Sequence, residues 1–274
     1  MYAGLTIRKG SGKLAGTHQK IDRVSRRYLN KIISNSHDFP GIKEILHFEG
    51  KNGPDGLLIK GTNKQDNPWH LINPIDVNDR NLLVLIDNHI FNLAEALQAK
   101  NRVRASFEAA WLAHSIVDGL TPAHHYPLNE KIEELWGKPR QEIVGNKRQR
   151  TFIKGDNMKD TISKNWQYWG VGGVMTSHLS FEFGAASAIS SDKFENCGPT
   201  KDDIIRLDKD GFEIIFMESL HKIYELNIYE EFCREGWTLG LALKTKKELI
   251  PEIIKVVTLA WYQAVLNANK MHRQ

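Results

Sequence analysis

Residues 111–127 read WLAHSIVDGLTPAHHYP, and the way polar side chains interrupt this apolar run decides both the local fold and the chemistry it can support. His114 and Asp118 stand four apart, the interval at which a helix stacks two side chains on one face. An imidazole and a carboxylate so placed can grip one cation together. Gly119 and Pro122 end the helix, and His124 is delivered from the turn that follows. A single His/Asp pair at this spacing is also an ordinary surface pair, so the reading needs a second observation.

Helical periodicity dominates the rest of the 274 residues. Ile21, Val24, Tyr28, Leu29 and Ile32 mark a helix over residues 18–35, with Thr17 as its N-cap. Residues 81–118 form a long periodic stretch with almost no breakers between Glu95 and Leu112. Residues 158–190 form another, interrupted by GVGG at 170–173, and residues 211–233 and 246–270 supply two more. Strand alternation is nowhere sustained, which predicts an all-α fold, a multi-helix bundle with long loops. Hydrophobic residues make up 41% and charged residues 26%, the composition of a globular chain with a sizeable core. No Ser/Gly/Pro-rich linker divides it, so residues 1–274 are read as one domain.

The second observation is VMTSHLSFEFGAAS, where His178 and Glu182 repeat the four-residue interval on another helical stretch. Upstream, Asp55 in GPDGLL precedes His70 in NPWHLIN by fifteen residues, and His18 opens the helix in GTHQKIDRVSRRYL. The ordered set His18, Asp55, His70, His114, Asp118, His124, His178 and Glu182 resembles the trinuclear zinc site shared by bacterial zinc-dependent phospholipases C and single-strand-specific zinc nucleases. Asp118-Gly-Leu-Thr-Pro122-Ala-His124 is the most specific portion, and the likeness spans roughly residues 14–190 in sparse motifs.

That resemblance implies the all-α phospholipase C fold and two or three zinc ions. It puts Asp55, His70, His114 and Asp118 on one zinc, His124, His178 and Glu182 on a second, and Asp118 with His18 on a third. It implies in-line attack of a metal-activated hydroxide on a phosphodiester, with Asp55 as the catalytic residue that orients or deprotonates the water. The relatives complete the third site with the amine and carbonyl of an N-terminal Trp. The earliest tryptophan here is Trp69, and the Met1 amine could reach the cluster only if the glycine-containing start folds back and the ammonium loses its proton, so His18 and Asp118 are expected to share that metal with water or another side chain. Leu71 follows His70 where an aromatic is common, Asn73 replaces an acidic residue of the nuclease motif, and Gly56 follows Asp55 where choline-lipid-cleaving relatives carry an aromatic. The GTHQKI and PWHLINP segments look more like the phospholipase side. A phospholipid is therefore the expected substrate, with transient contact at a membrane surface and single-stranded nucleic acid as the alternative. A zinc-stapled binding module without catalysis is the reading from another class.

Other features carry less. A net charge of +4 and a pI near 8.9 permit an anionic substrate. The stretch GKPRQEIVGNKRQRTFIKGDN, residues 137–157, reads as an exposed basic loop. Cys197 and Cys233 are too few for a disulfide framework. Trp69, Tyr126, Trp166, Tyr168, Trp169 and Phe181 are candidates to line a lipid or base pocket. His37-Asp38 has the form of a helical phosphohydrolase dyad, and Glu44/His47 and Glu218/His221 match the Glu-x-x-His spacing of di-iron bundles. His89, His125 and His272 lack matching partners. The opening MYAGLTIRKGSGKLAG has no apolar run of signal-peptide length, and no segment is read as approaching a membrane span. Localisation stays open between an intracellular enzyme, another export route and an upstream segment outside this chain.

Overall fold

The computed structural model describes residue 1 and residues 16–33, 38–54, 70–125, 128–138 and 152–271. Among them every regular element is a helix and there is no strand, in agreement with the all-α expectation.

Helix α1 (Thr17–Ile32) buries Ile21, Val24, Tyr28 and Leu29 on one face. Gly16, not Thr17, is its N-cap; Thr17 lies in the first turn with its hydroxyl buried. The short α2 (Ile42–Ile45) is tied down by Glu44, which accepts from the Gly41 amide at 2.7 Å and from Arg102 at 2.5 and 2.7 Å. The long stretch expected over 81–118 is two helices, α3 (Asn81–Gln98) and α4 (Arg102–Gly119). Lys100 turns the chain between them at φ 53°, and the Asn101 side chain caps α4 by accepting from the Arg104 amide at 3.1 Å. Packed antiparallel partners of this kind need only a short connection, which hydrophobic periodicity does not register.

Helix α4 is buried nearly all round from Ala105 to Gly119, because α1, α2, α3 and the last helix all pack on it. Gly119 ends it without a left-handed backbone. A Cβ there would lie 2.4 Å from Leu82 Cδ2 and 3.2 Å from Phe216 Cζ, so the glycine serves close packing rather than termination.

Beyond the site, α5 (Leu128–Trp136), α6 (Met158–Trp169) and α7 (Val174–Ile189) follow, with the break at GVGG where the sequence places it. Ile132, Leu135, Ile153 and Tyr168 form a satellite core against which Leu71, Val174 and Met175 pack. Helices α8 (Lys201–Asp210), α9 (Phe212–Glu225) and α10 (Ile228–Glu235) come next. The periodic stretch 211–233 is thus split, at Asn227 with φ 51°.

The chain ends with α11 (Leu239–Lys244), a wide turn at Thr245–Leu249, and α12 (Ile250–Met271). The last helix is the spine of the main core: it contacts α1, α3, α4 and α9, and its fully buried Trp261 donates to the Ala109 carbonyl at 2.9 Å. The expectation that no segment approaches a membrane span needs correction here. Leu239–Met271 is long and apolar enough by length and composition, with 67% of its most apolar window buried inside the fold. A helix apolar on every face is what a core position demands.

Candidate metal centre

Seven of the eight residues singled out in the sequence converge; the eighth, Asp55, lies outside the described residues. Helix α4 aims His114 and Asp118 the same way one turn apart. The Thr121–His125 turn brings His124 alongside, α7 supplies His178 and Glu182, α1 supplies His18, and His70 arrives from the segment before α3. All are buried.

Three groups form. His70 Nδ1 and His114 Nε2 stand 3.2 and 3.1 Å from Asp118 Oδ2. His124 Nε2 and His178 Nε2 stand 3.2 and 3.1 Å from Glu182 Oε1. His18 Nε2 is 3.2 Å from Asp118 Oδ1. Asp118 therefore faces two groups with its two oxygens.

The third group holds a residue the sequence reading set aside. The Met1 amine lies 2.5 Å from Asp118 Oδ1 and 3.3 Å from Glu182 Oε1, and the Met1 carbonyl lies 2.5 Å from His18 Nε2. Where the sequence reading expected water or another side chain, the terminal amine and carbonyl of Met1 stand beside Asp118 and His18. Nothing in the identity of a methionine signals this, because the donors are backbone atoms.

The outer partners decide what the inner nitrogens can do. His124 Nδ1 faces the His70 carbonyl at 3.3 Å, so that nitrogen carries the proton. Ser115 Oγ donates to the Trp111 carbonyl at 2.9 Å and accepts from His70 Nε2 at 3.3 Å. Burial pushes His70 down to about 4 and lowers His124 as well, so both rings are neutral at physiological pH. Their inner nitrogens then present lone pairs toward carboxylate oxygens. Two acceptors facing each other at hydrogen-bond distance need a cation between them. A tetrahedral ion with bonds of about 2.0–2.1 Å imposes ligand separations of about 3.3 Å, close to those present, and an imidazole and carboxylate donor set suits zinc. The residues fit the metal that the sequence implies.

His114 differs. Its Nδ1 faces buried Glu49 at 3.2 and 3.4 Å, a partner that sequence spacing could not find because it belongs to no motif. Burial opposes a charge on the ring, yet Asp118 and Glu49 together hold its pKa well above the ordinary value. Glu49 also groups with His18 and His114, whose rings stack at 4.1 Å. Burial would raise Asp118 and Glu182, but the Met1 ammonium and the surrounding imidazoles win and hold both well below the carboxylate range. Asp22, one turn from His18, is fully buried with neither oxygen bonded, and burial followed by the Glu49 charge pushes its pKa well up.

The two Glu-x-x-His patterns do not assemble among the described residues. Glu44 caps α2 and pairs with Arg102, Glu218 pairs with Arg206 at 2.7 Å, and His221 bonds the Pro74 carbonyl at 3.0 Å. His37 and His272 lie outside the described residues. His89 is paired with buried Glu108 at 2.5 Å, and His125 bonds the Gly119 carbonyl at 2.8 Å. Of the candidate pocket aromatics, Phe181 is core, packed with Tyr229, Phe232 and Trp237, and Tyr168 belongs to the satellite core. Trp166 and Trp169 are exposed, while Trp69 and Tyr126 lie outside the described residues. Cys197 and Cys233 are free thiols.

No family model matches the chain, and neither the curated proteins nor the solved structures include a match to it. What stands is an all-helical fold carrying clusters of His and carboxylate side chains able to hold metal ions, consistent with a metal-dependent hydrolase.

Proposed function

We propose that the protein is a zinc-dependent phosphodiester hydrolase of the phospholipase C kind, acting on a phospholipid headgroup. The observation that carries the reading is Asp118, whose two oxygens each face imidazole nitrogens of a different group while the Met1 amine links the second of these to Glu182. Donor groups joined in this way hold cations close together, the arrangement useful for clamping a phosphoryl group.

His70, His114, Asp118 and Asp55 would hold the first zinc, His124, His178 and Glu182 the second, and His18, Asp118 and Met1 the third. When bound, zinc supplies Lewis acidity toward a phosphoryl oxygen and a water acidified from pKa about 15.7 to about 7. The chain's own contribution is positional. Glu49 and the His70 carbonyl fix the tautomers of His114 and His124, and Ser115 fixes that of His70, so each presents the correct nitrogen. Asp55 is assigned to the orientation of the attacking water.

Lipid is preferred to nucleic acid on a local ground. Leu71, in the position where an aromatic would offer a stacking platform, packs against the satellite core instead. The test pairs elemental analysis with a panel of phosphatidylcholine, phosphatidylethanolamine, single-stranded DNA and RNA offered to zinc-replete protein. Diacylglycerol release supports the proposal, and mononucleotide release would move it to the nuclease alternative. Inactivity on every phosphodiester at full zinc occupancy would leave a zinc-stapled binding module.

A further inference from the structure

Helix α6 is apolar on two sides. Its inner side gives Tyr168 to the satellite core, while Met158, Ile162 and Trp166, each one turn after the last, are 81%, 64% and 66% exposed. Val171, in the turn that follows, is 91% exposed, and Phe152 before the helix is 57% exposed. Scattered exposed apolar side chains are normal, but three successive turns of one helix presenting only large apolar groups in one stripe are not.

Among the described residues flanking and within this helix, Lys138, Lys154, Lys159 and Lys164 stand against Asp156 and Asp160, a net positive charge of +2. Helix α6 also packs on α7, the helix that bears His178 and Glu182, and Leu71 beside His70 shares its satellite core. The stripe therefore belongs to the same local assembly as the metal centre.

We propose that the outer face of α6, with Val171 and Phe152 at its ends, is the surface by which the protein seats itself on an anionic lipid bilayer. This extends the lipid reading of the function by naming the partner surface, and it rests on that reading only for its purpose. An interfacial helix of this kind buries large apolar side chains at the headgroup boundary while cations around it meet anionic lipid. The occupants that compete are weaker matches. Only Trp166 and Phe152 offer a π-face to a nucleic acid base, while Val171 and Met158, the most exposed of the stripe, and Ile162 offer none. A second copy of the chain would set the same net-positive surroundings, Lys138, Lys154 and Lys159, against themselves.

The experiment is co-sedimentation of the full-length, zinc-loaded protein with phosphatidylcholine vesicles containing or lacking phosphatidylglycerol, read together with quenching of tryptophan emission by brominated acyl chains. Wild type is expected to bind the anionic vesicles and to be quenched. Ile162→Glu and Trp166→Glu should each weaken binding about tenfold or more, while zinc content and helical circular dichroism stay as in wild type. Absence of binding to anionic vesicles, or equal binding by both variants, overturns the proposal. So does a dimer in analytical ultracentrifugation that Ile162→Glu dissolves, or retention of single-stranded oligonucleotide in preference to vesicles. Hydrolysis of bis(p-nitrophenyl) phosphate, a soluble phosphodiester, reports on the metal centre separately. Vesicle binding without that hydrolysis counts against the proposed function alone, and hydrolysis without vesicle binding counts against the docking surface alone.

Discussion

Glu49 offers the sharpest test of the metal centre, because it touches His114 from outside and is absent from every motif. Its carboxylate sits 3.2 and 3.4 Å from His114 Nδ1, both side chains fully buried, so the contact is a charge-assisted hydrogen bond shielded from water. Glu49→Gln keeps the volume and an accepting oxygen but removes the charge that makes the imidazole a stronger donor toward a cation. Outer partners of ligating histidines are typically worth 10–100-fold in metal affinity, and the glutamine variant, retaining a neutral hydrogen bond, belongs near the lower end, about tenfold or about 1.4 kcal/mol. Glu49→Ala strands the Nδ1–H and opens a hole, and belongs near about 100-fold. The assay is zinc release into a graded series of chelators, counted per chain by elemental analysis, with circular dichroism as the control on folding. The loss should fall on the cation held by His70, His114 and Asp118 while the His124, His178 and Glu182 group keeps its own. Unchanged retention of every zinc in Glu49→Ala, or equal weakening of every one, would refute it.

Asp118→Asn removes one oxygen charge shared by two groups, so the cations on both should be lost together while the His124, His178 and Glu182 group retains zinc; phosphodiesterase activity should disappear. His18→Ala, or a residue added ahead of Met1, should remove the third zinc alone, since the Met1 amine must shed its proton and reach Asp118 to coordinate; chelator titration with retention of all zincs in the extended chain would contradict this. Gly184→Ala places a Cβ 1.8 Å from Trp237 Nε1, and the displaced indole loses its bond to the Ser180 carbonyl, so urea denaturation should show a loss of about 1–3 kcal/mol despite alanine's better helix propensity. Burial raises Glu252, but Lys222, Lys255 and Ser219 prevail and depress its pKa below the ordinary 4.5. A depressed carboxylate contributes stability above its unfolded pKa and loses it as pH falls through the folded value, so the excess melting temperature of wild type over Glu252→Gln should be full at neutral pH and shrink below about 4.5.

How much of this was legible in the chain follows from what each feature depends on. The helix carrying His114 and Asp118 could be read because both its apolar period and its ligand spacing are local. The breaks at Lys100 and Asn227 could not: each is a single residue in the left-handed region, and periodicity runs through it without a change of phase. The pairs His114/Asp118 and His178/Glu182 were found because chemistry restricts ligands to a few residue types at helical intervals, while His18 and His70 were picked out by the resemblance of the ordered set. Glu49 was missed because an orienting carboxylate has no required spacing from its histidine, only a position in space. Met1 was set aside for a deeper reason. The sequence reading looked for a tryptophan at the start of the chain, yet the groups placed against Asp118 and His18 are an amine and a carbonyl that any first residue possesses. What selects the residue is the room around it: Met1 is 2% exposed within the main core, a position that asks only for an apolar side chain. A search of other chains for this arrangement should therefore demand a histidine opening the first helix and an aspartate whose two oxygens face different imidazoles, and should place no condition on tryptophan.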